Sequence, residues 1–121
     1  MKGSNHIKEE RKHPRVNIDC PLEYRVLDAP HLHGAMAVNA SESGLLIHSV
    51  KDLPIGTKLT IAVLFSKGLE FSNFEVLAEI VWKDKYLEEN RERYKFGLKF
   101  LHLSEEDHQK LKQLLAERHE I

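Results

Sequence analysis

From Val16 onward polar and apolar residues alternate one by one, with Val16, Ile18, Cys20, Leu22, Tyr24 and Val26 on one face and Asn17, Asp19, Glu23 and Arg25 between them. That two-residue period belongs to a strand with one buried face. Pro21 stands on the outward face and has no N–H to give, so this strand is expected to bulge there or to lie at an edge. A second strand is read over His33 to Val38. It ends in NASESG, a run of turn formers that leads into the apolar Leu45, Leu46 and Ile47. Leu53-Pro54-Ile55-Gly56 marks another turn. The strand pattern then returns over Lys58 to Phe65, over Phe74, Val76, Ala78, Ile80 and Trp82, and over Tyr94, Phe96, Leu98 and Phe100. Trp82, in phase with Ile80, is expected in the core or plugging a barrel mouth. Between these last two runs lies the densely charged KDKYLEENRER, Lys83 to Arg93, which reads as a solvated loop or hairpin extension and as a candidate partner surface.

The period changes near the carboxy terminus. Ser104 followed by Glu105, Glu106 and Asp107 has the form of a helix start, and Leu111, Leu114 and Leu115 then recur at helical spacing, giving one amphipathic helix over about residues 104–118. Six short strands with no helix in their crossovers imply antiparallel pairing. Closing such a sheet into a small barrel removes its exposed edges. The expected fold is therefore all-β, a six-stranded antiparallel barrel, with one terminal helix laying its leucines on the barrel surface or across a mouth. Residues 1–8 lack apolar periodicity and read as a disordered tail, leaving 9–121 as a single domain.

Composition narrows the function. At 121 residues the chain has one domain's worth of core. A net charge of −1 provides no general field for DNA, RNA or an anionic membrane, so any anion site must be local. Cys20 is the sole cysteine, the first fifteen residues hold no apolar signal segment, and runs such as Leu59 to Phe65 are far shorter than the roughly 20 residues of a membrane span. A cytoplasmic protein with no membrane insertion is expected.

Two short segments carry candidate chemistry. In ERKHPR, Arg11 and Arg15 are four apart in an extended or turning stretch, so two planar guanidinium forks can reach around one ligand and match phosphate oxygens or the acceptor edge of guanine. Pro14 stiffens that approach. A solvated basic run ahead of a strand, partly neutralised by Glu9 and Glu10, would look the same. In NASESG, Asn39 and Ser41 are two apart and can present an amide and a hydroxyl side by side, although a plain turn with Gly44 at positive φ also suits these residues.

Taken together, Arg-x-x-x-Arg before the first strand and Asn-x-Ser-x-x-Gly at the next strand-to-strand turn resemble a PilZ domain, the bacterial receptor module for cyclic di-GMP. The resemblance covers residues 9 to 118 and includes Ile80-Val81-Trp82 and Gly97-Leu98-Lys99-Phe100, which look like the family's Val-x-Trp and Gly-x-x-Phe positions. It implies a six-stranded barrel with a carboxy-terminal helix. It also implies that Arg11 and Arg15 stack on guanines and pair with phosphates, that Asn39 and Ser41 reach a guanine edge, and that Gly44 permits close backbone approach. Glu10, Lys12 and His13 would lie beside the ligand. Glu10 stands where family members often carry a basic residue linked to binding a stacked ligand pair, which favours one ligand here. Asn39 replaces the commoner Asp, exchanging two acceptor oxygens for one acceptor and one donor.

The resemblance thus implies a cyclic di-GMP effector whose Arg-x-x-x-Arg loop orders on the ligand, creating a surface for a partner protein in trans or for a homodimer. The alternative is a PilZ-fold adaptor that binds protein without nucleotide. A single-stranded nucleic acid binder ranks last, because its aromatics should be exposed beside a basic groove and here they follow the inward period. No cofactor is expected. Eight histidines, His31 and His33 among them, bring no Cys or carboxylate at ligand spacing, so no metal is expected. Ser41, Ser43 and Cys20 lack a base and an orienting partner, so no enzyme is read.

Overall fold

The computed structural model describes residues 14–118. They form a closed barrel of β1 (Val16–Val26), β2 (His33–Ala40), β3 (Gly44–Ser49), β4 (Lys58–Lys67), β5 (Glu70–Glu88) and β6 (Arg91–His102), followed by α1 (Glu105–Ala116). Two antiparallel meanders, β1-β2-β3 and β4-β5-β6, join by pairing β3 with β6 and β1 with β4. Every strand thus has two neighbours, which removes the sheet edges the sequence would otherwise have to protect.

Alternation decides what is inside. Tyr24, Leu22, Leu59, Val63, Phe74, Ile80 and Phe96 are fully buried in one cluster. α1 adds Leu111 and Leu114 to it, packing on β5 and β1. The helix is seated at its start. Ser104 Oγ accepts from Asp107 N–H at 3.1 Å, and Asp107 Oδ1 accepts from the backbone N–H of Glu75 at 3.0 Å, fastening the first turn to β5.

Turn chemistry follows the residues present. The charged stretch from Lys83 to Arg93 is the hairpin extension: the β5–β6 ladder continues to the Glu88–Arg91 pair and closes through Glu89 and Asn90, both at positive φ. Pro21 points outward as expected. It lies opposite Met36 just before β1 begins pairing with β4 at Leu22, so its missing N–H interrupts no β1–β4 bond. The bulge in β1 falls slightly earlier, between Asn17 and Cys20, where Asp19 has φ 49°.

Three sequence expectations are corrected. β2 runs on to Ala40, so Asn39 belongs to a strand and only residues 41–43 turn. Gly44 opens β3 and is not among the described glycines at positive φ, Gly56 and Gly68. Its constraint is space, because a Cβ there would run into the Leu98 carbonyl oxygen across β6. Trp82 is neither core nor plug, being 48% exposed, and Phe71 at the β4–β5 tip is 90% exposed, so not all aromatics follow the inward period. For Trp82 the cause is a bulge. Ile80 pairs with Leu98 and Trp82 with Gly97, so Val81 is an extra residue that turns the indole to the outside. Lys83 then shares a face with Phe96 and reaches the Asp52 carboxylate at 2.9 Å.

Candidate functional site

Asn39, Leu46, Gly97 and Trp82 stand in one row across β2, β3, β6 and β5, each paired with the next. Register shifts border the row, in β1 after Asn17, in β2 before Asn39 and in β5 before Trp82. They resemble the bulges that other sheets use to re-aim side chains at a site. Gly97 gives the row its floor, since a Cβ there would lie 3.2 Å from Trp82 Cβ and 3.5 Å from its Cε3. The indole therefore rests on a bare stretch of β6.

Arg15, immediately before β1, comes in over the β2 end. Its Nη1 donates to Asn39 Oδ1 at 2.7 Å. This short, charge-assisted bond orients the Asn39 amide and leaves its NH₂ group to donate elsewhere. Arg15, Asn39, Leu46, Val81, Trp82, Gly97 and Leu98 enclose a pocket of about 290 Å³. Among the described residues its lining holds one cation and no carboxylate, one amide, an indole and three aliphatic residues. A flat, hydrogen-bonding, anionic molecule suits that lining. A different cleft of about 330 Å³, lined by Glu23, Glu75 and Asp107 against Arg25, has the wrong sign of charge for such a ligand.

Ser41 and Gly44 lie beside this pocket without lining it. Ser41 Oγ accepts from Ser43 N–H at 3.1 Å, Ser41 N–H donates to Gly44 O at 3.0 Å, and Phe100 N–H donates to Ser43 O at 2.9 Å. The turn is thereby pinned to β6 and holds Asn39 in register. Glu42, at its tip, lies 3.2 Å from His108 Nε2 on α1. Glu10, Arg11, Lys12 and His13 lie outside the described residues. Arg15 and Asn39 are therefore the predicted residues that the structure brings together.

The cysteine is packing. Cys20 Sγ is buried and donates to Ile18 O at 3.3 Å, and burial raises its thiol pKa, which opposes thiolate chemistry. Among the described residues no group of His, Cys, Asp or Glu is placed to hold a metal ion, and no helix is long and apolar enough to cross a membrane. Trp82 is the site residue that alternation missed. The triplet Ile80-Val81-Trp82 did not signal it, since the apolar triplet Leu45-Leu46-Ile47 pairs with β6 without any shift.

The PilZ domain model matches residues 9–117. The chain belongs to the PilZ family. Among solved structures, this PilZ domain is similar to the inhibitor of motility MotI/DgrA of Bacillus subtilis, at 14% identity and a TM-score of 0.71, covering 88% of this chain and 49% of that one. It spans about half of that protein's length. It is similar also to the PilZ domain of YcgR from Escherichia coli, solved with c-di-GMP, at 14% identity and a TM-score of 0.65, covering 88% of each chain. A third is PlzA of Borreliella burgdorferi in complex with c-di-GMP, at 13% identity and a TM-score of 0.59, covering 98% of this chain and 59% of that one. At such identities the likeness is one of fold. No curated protein matches the sequence.

Proposed function

We propose that this PilZ domain is a receptor for cyclic di-GMP, which it holds on the outer face of β2, β3, β6 and β5. The observation that carries the reading is the Arg15–Asn39 hydrogen bond of 2.7 Å beside the exposed Trp82, in a pocket whose described lining holds no carboxylate. Family membership and the c-di-GMP in the YcgR and PlzA structures support it.

Each residue has a part its chemistry suits. The indole face stacks on a guanine base, and the Arg15 guanidinium pairs with a phosphate. Asn39, with Oδ1 accepting from Arg15, turns its NH₂ toward O6 or N7, the acceptor edge of guanine, where an aspartate would have accepted from N1–H and N2–H instead. Arg11 joins Arg15 on the assignment of the motif, as Ser41 and Gly44 shape the turn beneath. Ligand draws residues 9–15 over the barrel face, and loop plus nucleotide form a surface read by a partner protein in trans.

Isothermal titration calorimetry of the chain with cyclic di-GMP tests this, beside Arg15→Ala and with GTP as control. Saturable binding at one ligand per chain, lost in Arg15→Ala, is expected, together with slower tryptic cleavage after Arg11 and Arg15 in the presence of ligand. No binding at high ligand concentration would make the chain a nucleotide-independent adaptor and overturn the reading.

A further inference from the structure

The pocket of about 290 Å³ lies at the lower end of the roughly 300–1,000 Å³ that enclose one drug-sized ligand. Cyclic di-GMP has two guanosines and two anionic phosphodiesters, so much of it must rest outside. The pocket's described lining supplies a single cation, Arg15. Where the remainder goes can be read from the strand registers.

One step of two residues along the strands, about 7 Å away, lies a parallel row on the same outer face. Met36 pairs with His48, His48 with Lys95, and Lys95 with Asp84. Tyr86, on the hairpin arm, completes it: its hydroxyl lies 3.3 Å from His48 Nδ1, and Lys95 Nζ sits 5.2 Å from its ring centroid. Met36 is 44% exposed, offering a polarizable side chain to the surface. Among the described residues no carboxylate comes within ion-pair distance of Lys95, Asp84 opposite included, so its ammonium remains available to an anion.

Resting on the receptor reading above, we propose that this second row is the outer half of the nucleotide site, with Lys95 pairing with the phosphodiester beyond reach of Arg15 and Tyr86 offering an aromatic face to the second guanosine. Lys95 and Tyr86 then set specificity. A mononucleotide engages the first row alone, whereas the cyclic dinucleotide bridges both, which gives a physical reason to prefer the dinucleotide over GTP.

The control is built into the same strand. Lys99 lies on the outer face two residues beyond Gly97 in the opposite direction, opposite Glu79. Lys95→Gln and Lys99→Gln change net charge equally, so only a direct contact separates them. Calorimetry with cyclic di-GMP should show binding roughly tenfold weaker in Lys95→Gln, as for a lost charge-assisted hydrogen bond, restored in large part by Lys95→Arg and within about twofold of the parent in Lys99→Gln. Tyr86→Ser, which alters the hairpin arm outside the core, should weaken binding roughly fivefold or more. Parent binding that Arg15→Ala abolishes but Lys95→Gln and Tyr86→Ser leave unchanged would overturn this inference and leave the receptor reading standing. Equal losses in Lys95→Gln and Lys99→Gln would overturn it as well, marking the effect as long-range charge. Failure of the parent to bind would remove both readings.

Discussion

Gly44→Ala adds one methyl group where β3 begins to pair with β6, and that group would overlap the Leu98 carbonyl oxygen. The obstacle is backbone, so no side-chain rotation relieves it and the two strands must part locally. Two hydrogen bonds flank the point, Ser41 N–H to Gly44 O at 3.0 Å and Phe100 N–H to Ser43 O at 2.9 Å. At about 1 kcal/mol each, with a comparable amount for the displaced strand ends, the loss is roughly 2–4 kcal/mol. Alanine's smaller unfolded-state entropy offsets less than about 1 kcal/mol of that. A net loss of about 2 kcal/mol lowers the melting midpoint of a domain this size by roughly 10 °C. Thermal and urea unfolding followed by far-UV circular dichroism measure it, with the urea slope unchanged because the same surface is exposed on unfolding. The assay needs no ligand, which separates a packing role for Gly44 from a ligand-contact role. A variant as stable as the parent would refute the reasoning and return Gly44 to the ligand.

Two further outcomes are expected. Trp82 is the sole tryptophan, so cyclic di-GMP should quench intrinsic fluorescence saturably, and Trp82→Ala should weaken binding by roughly 5- to 150-fold, the equivalent of one base–aromatic stack. Unchanged emission while calorimetry still reports binding would take the indole out of the site. Burial, and secondarily Lys95, hold the His48 pKa below its ordinary value against the opposing charge of Glu88. The unfolded chain therefore takes up this proton first as pH falls, and the stability from neutral His48 is present above about pH 6.5 and is lost as pH drops below it toward the lowered folded value. His48→Gln should flatten the difference in urea midpoint between pH 7.5 and 5.5, and an identical difference in both proteins would contradict this.

Much of the architecture was legible because a barrel of this size buries one face of every strand. Tyr24, Phe74 and Phe96 are buried as their parity requires, and the Ser104 cap and the Leu111–Leu114 stripe place the helix. Parity fails where a strand gains a residue. Val81 re-aims Trp82, and the irregularity in β2 puts Asn39 beside Leu46, neither of which a two-residue period contains. Ser41 and Gly44 were singled out for chemistry, and the structure gives each a local duty in the turn that spacing alone does not disclose. Arg15 was placed by motif, and its bond to Asn39 depends on a pairing between segments 24 residues apart. The exposed Phe71 follows from the tight β4–β5 turn at Gly68, beyond which the hairpin tip has nothing to cover it.

The extra residue in β5 also bears on how such a site is gained or lost. Were Val81 paired in strict alternation, Trp82 would turn inward and Lys83, Asp84, Lys85 and Tyr86 would exchange faces at once. Deleting Val81 does not do this, because Trp82 would then follow the inward Ile80 directly and still meet Gly97 on the outside. A three-nucleotide deletion there would therefore spare both rows. In this barrel the place where one strand takes up its spare residue, more than the number of residues it contains, decides whether the face displays a binding surface or hides it.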